Sequence, residues 1–126
     1  DYVSYLNDLN NFLMKNAAVK IIILGYSQGV ATAARWIANG SVCPSEFVIW
    51  CGQFASEIEI LNGKLPVVRH VYASRDEFIS PEQYAAQTMR LKALGFTVFD
   101  YEFDGPHSID SGTLMNVFQS IDNNIY

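Results

Sequence analysis

The stretch that most constrains the fold is Ile21-Ile22-Ile23-Leu24-Gly25-Tyr26-Ser27-Gln28-Gly29. Four consecutive apolar residues, three of them β-branched, read as a strand buried on both faces, as in a parallel sheet. The pentapeptide Gly-x-Ser-x-Gly follows at once. After it comes an Ala-rich helical run, Val30-Ala31-Thr32-Ala33-Ala34-Arg35-Trp36-Ile37-Ala38. A strand that turns sharply into a helix at a serine leaves the hydroxyl exposed at the turn, the geometry of a nucleophile elbow. Gly25 and Gly29 are expected there because a Cβ at either position would collide with a neighbouring element.

The rest of the chain repeats the alternation. Tyr2, Tyr5, Leu6, Leu9, Phe12 and Leu13 recur at helical spacing, so residues 2–16 read as an amphipathic helix facing inward with that stripe. Residues 19–24 read as the first strand and 27–39 as a helix closed by Asn39-Gly40. A second strand is expected over 46–51, a loop-rich stretch over 52–65, and a third strand over 67–73. Ser80 and Pro81 suit the N-cap and first turn of a helix over 81–94, which Gly95 ends. Residues 97–103 alternate and read as a fourth strand with one more exposed face. A last helix covers about 109–123. Strands alternating with helices give an α/β fold, a three-layer sandwich around a mainly parallel sheet.

Composition narrows the partners. With 8 basic and 13 acidic residues the net charge is −5, and no basic patch is visible, so nucleic acid lacks its main electrostatic driver. No apolar run approaches the ~20 residues that span a bilayer, so no transmembrane segment is expected. No basic start or long apolar leader opens the chain; a cytoplasmic setting is expected, although the absence of an initial Met points to a trimmed N-terminus. Cys43 and Cys51 do not make a disulfide framework, and Cys51 reads as a small buried hydrophobe. Two histidines without a Cys/His cluster argue against a zinc site; no metal and no cofactor are expected.

The chemistry follows from position. Ligands in such sheets bind beyond the carboxyl ends of the strands. Ser27 sits there after the first strand, Asp76 after the third, and His107 after the fourth, in Gly105-Pro106-His107-Ser108. Serine needs a base, and the base needs a carboxylate to fix its tautomer. Ser27, Asp76 and His107 are therefore the candidate nucleophile, acid and base, in the chain order of α/β-hydrolases. The Gln28 backbone N–H is the expected oxyanion donor. Glu77 is the rival acid, with Asp104 and Asp110 weaker rivals. His70, inside the third strand, reads as structural. Phe54, Phe78 and Ile79 are candidate substrate-pocket residues, with core or loop anchoring as the plainer alternative.

These motifs resemble the phospholipase/carboxylesterase family of α/β-hydrolases, which includes acyl-protein thioesterases. The resemblance rests on Gly25–Gly29, on the aspartate loop Asp76-Glu77-Phe78-Ile79-Ser80-Pro81, on Leu91-Lys92-Ala93-Leu94-Gly95, and on His107-Ser108. The chain departs from that pattern at Val30, at Ala73-Ser74 and at Cys51-Gly52. The resemblance implies an α/β-hydrolase domain over residues 1–126 that corresponds to the C-terminal part of a longer catalytic domain and lacks its N-terminal strands. It implies a serine hydrolase acting on small carboxylic esters or thioesters. A non-catalytic binding module and a peptidase or C–C hydrolase with the same triad are the competing readings. Without further strands, Ile21–Leu24 would lie at a sheet edge, and a homodimer or a preceding segment is expected to cover it.

Overall fold

The apolar runs become four strands: β1 (Ile22–Tyr26), β2 (Glu46–Trp50), β3 (Val67–Ala73) and β4 (Val98–Phe103). The computed structural model describes residues 2–16, 20–39, 42–61 and 63–123. The strands form one sheet in the order β1-β2-β3-β4. All three pairings are parallel, with Ile23 opposite Phe47, Val48 opposite Arg69, and Val71 opposite Tyr101. Parallel neighbours in sequence order put every strand's carboxyl end on one edge, where the loops gather.

The helices are α1 (Tyr2–Asn16), α2 (Gly29–Asn39), α3 (Pro81–Ala93) and α4 (Ser111–Asp122). Side chains alternate across the sheet and build two cores. On one face Ile23, Phe47, Ile49 and Val68 meet Val30, Ala33, Ala34 and Trp36 of α2 and Leu91 of α3. On the other, Val48, Trp50, Val71 and Phe103 meet Val117 and Ile121 of α4. The result is the three-layer α/β sandwich the sequence implied. Among the described residues, no helix is long and apolar enough to cross a membrane.

The elements depart from expectation in three places. First, β1 begins at Ile22 and carries Gly25 and Tyr26 within it; Val19 lies outside the described residues. It is not buried on both faces, since Ile23 and Gly25 are covered while Leu24 is 38% exposed. The cause is its place at the end of the strand order. β2, with a strand on either side, is buried at all five positions. Second, α1 turns a different stripe inward. Val3 and Leu6 pack on the core, and the Trp36 indole N–H donates to Asn7 Oδ1 at 2.9 Å. Tyr2, Tyr5 and Leu9 are exposed instead, while the side chains of Phe12 and Leu13 lie outside the described residues. Third, α2 starts at Gly29, two residues later than expected, because Ser27 and Gln28 form the turn. The Gly40 half of the expected cap is outside the described residues.

One connection is unusual for a parallel sheet. Such crossovers generally carry a helix. The described residues of 51–66, between β2 and β3, contain none. Their backbone polar groups must find other partners.

Candidate active site

The turn at Ser27 is strained. Its φ is +55°, in the left-handed region that β-carbon-bearing residues rarely adopt. Two hydrogen bonds hold it. The Ser27 N–H donates to the Trp50 carbonyl of β2 at 2.9 Å, and the Val30 N–H donates to the Ser27 carbonyl at 3.2 Å. A Cβ on Gly25 would stand 2.8 Å from Val30 Cα, which explains that glycine. Gly29 is different. A Cβ there would meet nothing within 4 Å, so the expectation of a collision at Gly29 fails; that residue faces open space at the start of α2. The collision lies instead at Gly52, where a Cβ would be 2.4 Å from the Ser27 carbonyl oxygen and 2.3 Å from a Val30 methyl. In the sequence Gly52 stood out only as a departure from the family pattern; the signal for its role was a glycine two residues beyond a fully buried strand.

The three residues proposed from strand ends come together. His107 Nε2 lies 2.9 Å from Ser27 Oγ, and His107 Nδ1 lies 2.8 Å from Asp76 Oδ2. A carboxylate beside Nδ1 fixes the tautomer: Nδ1–H donates to Asp76, leaving Nε2 to accept from the Ser27 hydroxyl. The side chain of Asp76 is fully buried and that of His107 is 10% exposed. Asp76 Oδ1 accepts the Phe78 and Ile79 N–H groups at 2.8 and 3.1 Å. Burial alone would push this carboxyl up. Hydrogen bonds from Tyr84, His107, Phe78 and Ile79 outweigh it and hold the group below its ordinary range.

Tyr84 is a further residue of the site, one that the sequence did not single out. Its hydroxyl donates to Asp76 Oδ2 at 2.6 Å, the same oxygen that receives His107. Burial, with the hydrogen bond to Asp76 second, pushes its phenol far above the usual value, so it stays a donor. The signal available was an apolar-face tyrosine one turn into a helix that starts just after Asp76.

The loop carrying His107 is fixed from the sheet. The Tyr26 hydroxyl donates to the His107 carbonyl at 3.3 Å, and the Trp50 indole donates to the Ser108 carbonyl at 2.8 Å. The rival acids have other partners. Glu77 accepts the His107 backbone N–H at 3.4 Å, not the ring. Asp104 accepts from Arg75 and Ser74, and Asp110 caps α4 through Thr113. His70 is fully buried in β3, as a structural histidine should be.

A cavity of about 820 Å³ opens at Ser27 and His107, between α2 and the segment after β2. Phe54, Phe78 and Ile79 all border it. They differ in character. Phe78 is 71% exposed and sets its ring edge-on to His107 at 5.0 Å. Phe54 is buried and turns its ring to Phe96, 5.7 Å away, so it also anchors the core. Gln28, beside the serine, is exposed at the cavity wall. Cys51 follows β2 with a φ of +47°, and burial raises its thiol pKa. Among the described residues, one set of three metal-type donors exists: Cys51, Asp76 and His107 offer ligand atoms within 4.8 Å of one another. Asp76 Oδ2 and His107 Nδ1 already bond to each other.

This is the arrangement of an α/β-hydrolase fold, and comparison with solved structures shows the same fold. The chain is similar to Zea mays acyl-protein thioesterase 2, with 17% identity over 98% of this chain and 63% of that one, at a TM-score of 0.76. It is similar to Arabidopsis thaliana SOBER1, at 17% identity, 98% and 63% coverage and a TM-score of 0.76. The Bacillus cereus carboxylesterase matches at 16% identity, 96% and 59% coverage and a TM-score of 0.74. The chain thus spans about three fifths of the length of these structures. No protein-family model matches it, and no curated protein matches it in sequence.

Proposed function

We propose that the chain is the nucleophile-bearing part of a serine hydrolase that cleaves small carboxylic esters or thioesters through an acyl-enzyme. One observation carries the reading: Ser27 Oγ, the His107 ring and Asp76 form a continuous hydrogen-bonded chain, 2.9 and 2.8 Å long at its two links, on a strained elbow that opens into a cavity. His107 Nε2 takes the Ser27 proton as Oγ attacks the carbonyl carbon. The tetrahedral oxyanion accepts a hydrogen bond from the Gln28 N–H. Asp76 stabilises the imidazolium. His107 then returns its proton to the leaving alcohol or thiol as the C–O or C–S bond breaks. Water, deprotonated by the same histidine, releases the acid and restores Ser27. The esterase and thioesterase names of the similar structures support the substrate class. The exposed face of β1 supports the further reading that a second copy or additional chain covers that edge.

Labelling with a fluorophosphonate probe tests this. The expected result is a covalent adduct on the protein that disappears in Ser27→Ala. No adduct, either on the 126 residues or on a longer form containing them, would favour a non-catalytic binding module.

A further inference from the structure

The helix-free crossover after β2 forms one wall of the cavity, and its shape is imposed from α3. Arg90 reaches across with both terminal nitrogens. Nη2 donates to the carbonyls of Ala55 at 2.9 Å, Ser56 at 3.2 Å and Ile58 at 2.7 Å, and Nη1 to that of Phe54 at 3.5 Å. Its guanidinium also lies 5.4 Å from the Phe54 ring. A regular helix would satisfy such carbonyls internally; here one planar cation with fixed donors does it. One turn earlier, Gln87 uses its whole amide. Oε1 accepts the Phe54 N–H at 2.9 Å, and Nε2 donates to the Gly52 carbonyl at 2.8 Å.

The second Gln87 hydrogen is fixed from below. It points to His70 Nε2, 3.0 Å away, in the floor of the sheet. A nitrogen that accepts must be unprotonated, so His70 carries its hydrogen on Nδ1 and donates it to Asp100 Oδ1 at 3.0 Å. The Thr88 hydroxyl donates to the same carboxylate oxygen at 2.9 Å. The amide cannot turn over without setting its oxygen against the Gly52 carbonyl and its NH₂ against the Phe54 N–H. His70 and Asp100 thus resemble a His–Asp pair in geometry, but the place of a serine is taken by a glutamine that holds the cavity wall.

The geometry points to Gln87 and Arg90 as positioning residues that determine which acyl groups the site accepts. They touch no reacting atom. They set the path of residues 52–58, of which 52–56 line the cavity opposite α2, so the length and bulk of an acyl chain are selected by α3 through that segment. Gly52 ties the same segment to the elbow, because its lack of a Cβ allows the Ser27 carbonyl to approach. This inference rests on the hydrolase reading above.

The test compares wild type, Gln87→Leu, Arg90→Leu and Arg90→Lys. Each is assayed with p-nitrophenyl acetate and p-nitrophenyl octanoate, labelled with a fluorophosphonate, and examined by amide hydrogen exchange. The acetate reports on the reacting groups; the octanoate adds the wall. Gln87→Leu and Arg90→Leu are expected to raise KM for the octanoate by about tenfold or more, the scale of lost acyl-pocket contacts, with acetate kcat and labelling rate near wild type. Exchange is expected to speed up over 52–58 and not at the elbow. Arg90→Lys is expected to recover part of the octanoate KM, since an ammonium still donates to carbonyls. Parallel loss for both esters, or no change for either, would overturn the proposal and reduce α3 to a structural element. Unlabelled wild type would overturn the hydrolase reading, and this proposal with it. Wild type that labels while exchange over 52–58 is unchanged in Gln87→Leu would overturn this proposal alone.

Discussion

Asp76 Oδ2 accepts from two donors of different kinds, the His107 ring and the Tyr84 hydroxyl. The phenol does two things at once: it steadies the carboxylate in a buried place and fixes which oxygen His107 meets. Tyr84→Phe removes one donor and little volume. kcat and kcat/KM are expected to fall together, by roughly tenfold, with KM unchanged, because only the transition state needs the aligned imidazolium. The linked stability effect has a definite sign. Asp76 is held below its ordinary range in the folded state, so its ionised form contributes stability above the unfolded value of about 3.9, and that contribution is lost as pH falls through the lower folded value. Removing the Tyr84 hydroxyl raises the folded value. Tyr84→Phe is therefore expected to be destabilised by roughly 2 kcal/mol at neutral pH, with the gap narrowing below about pH 4. Denaturant unfolding at several pH values measures it; a gap independent of pH would remove Asp76 from the explanation. Ser27, Asp76 and His107 were legible because strand ends and a Gly-bounded serine carry them. Gln87 and Arg90 were not, because each acts across the fold on a segment that only the packing of α3 on the sheet brings near; Tyr84 stands only eight residues from Asp76, but helical spacing names its face and not its partner.

At the scale of elements, local chemistry predicted α3 best. Ser80 Oγ accepts the Gln83 N–H at 3.1 Å while Gln83 Oε1 accepts the Ser80 N–H at 2.8 Å, a complete capping box with Pro81 in the first turn. All of that can be read from Ser-Pro-Glu-Gln. Its position matters because the helix starts five residues beyond Asp76 and carries Tyr84, Gln87 and Arg90 on the faces that meet the site. Ser80→Ala is expected to cost about 1 kcal/mol of stability. If the helix transmits its position to the site, octanoate KM should respond before acetate kcat does. A thermal melt with paired assays would show a lower Tm; unchanged Tm and kinetics would mean that the helix is held by packing alone. Periodicity predicted α1 less well. Tyr2, Tyr5, Leu6 and Leu9 do share a stripe, but the helix rests on α2 through Val3, Leu6 and Asn7, whose contact with Trp36 no period reveals. Apolar content names a helix; only its neighbour decides the face.

The whole molecule carries one conflict between composition and position. Ile22-Ile23-Leu24 has the makeup of a central strand, like the fully buried β2, yet among the described residues β1 pairs with β2 alone and leaves Leu24 exposed. An apolar edge strand is a template for pairing with another chain. The similar structures are longer by about two fifths of their own length. The exposed edge supports the proposal made above that further chain or a second copy covers it. The 126 residues alone are therefore expected to associate as concentration rises, through β1. Leu24→Lys puts a charge on the edge, the device natural sheets use to block such pairing, and is expected to shift the species toward the 14.1 kDa monomer. Sedimentation velocity on both chains decides it. A wild-type chain that stays monomeric over the whole concentration range would show that β1 tolerates its exposure. Association that Leu24→Lys leaves unchanged would move the contact elsewhere, to α1, where Tyr2, Tyr5 and Leu9 also face solvent. Because Ser27 directly follows β1, cover on this edge would also steady the elbow. Labelling of Ser27 is then expected to be faster in the associated or longer form than in the Leu24→Lys monomer, which ties the edge to the chemistry through one strand.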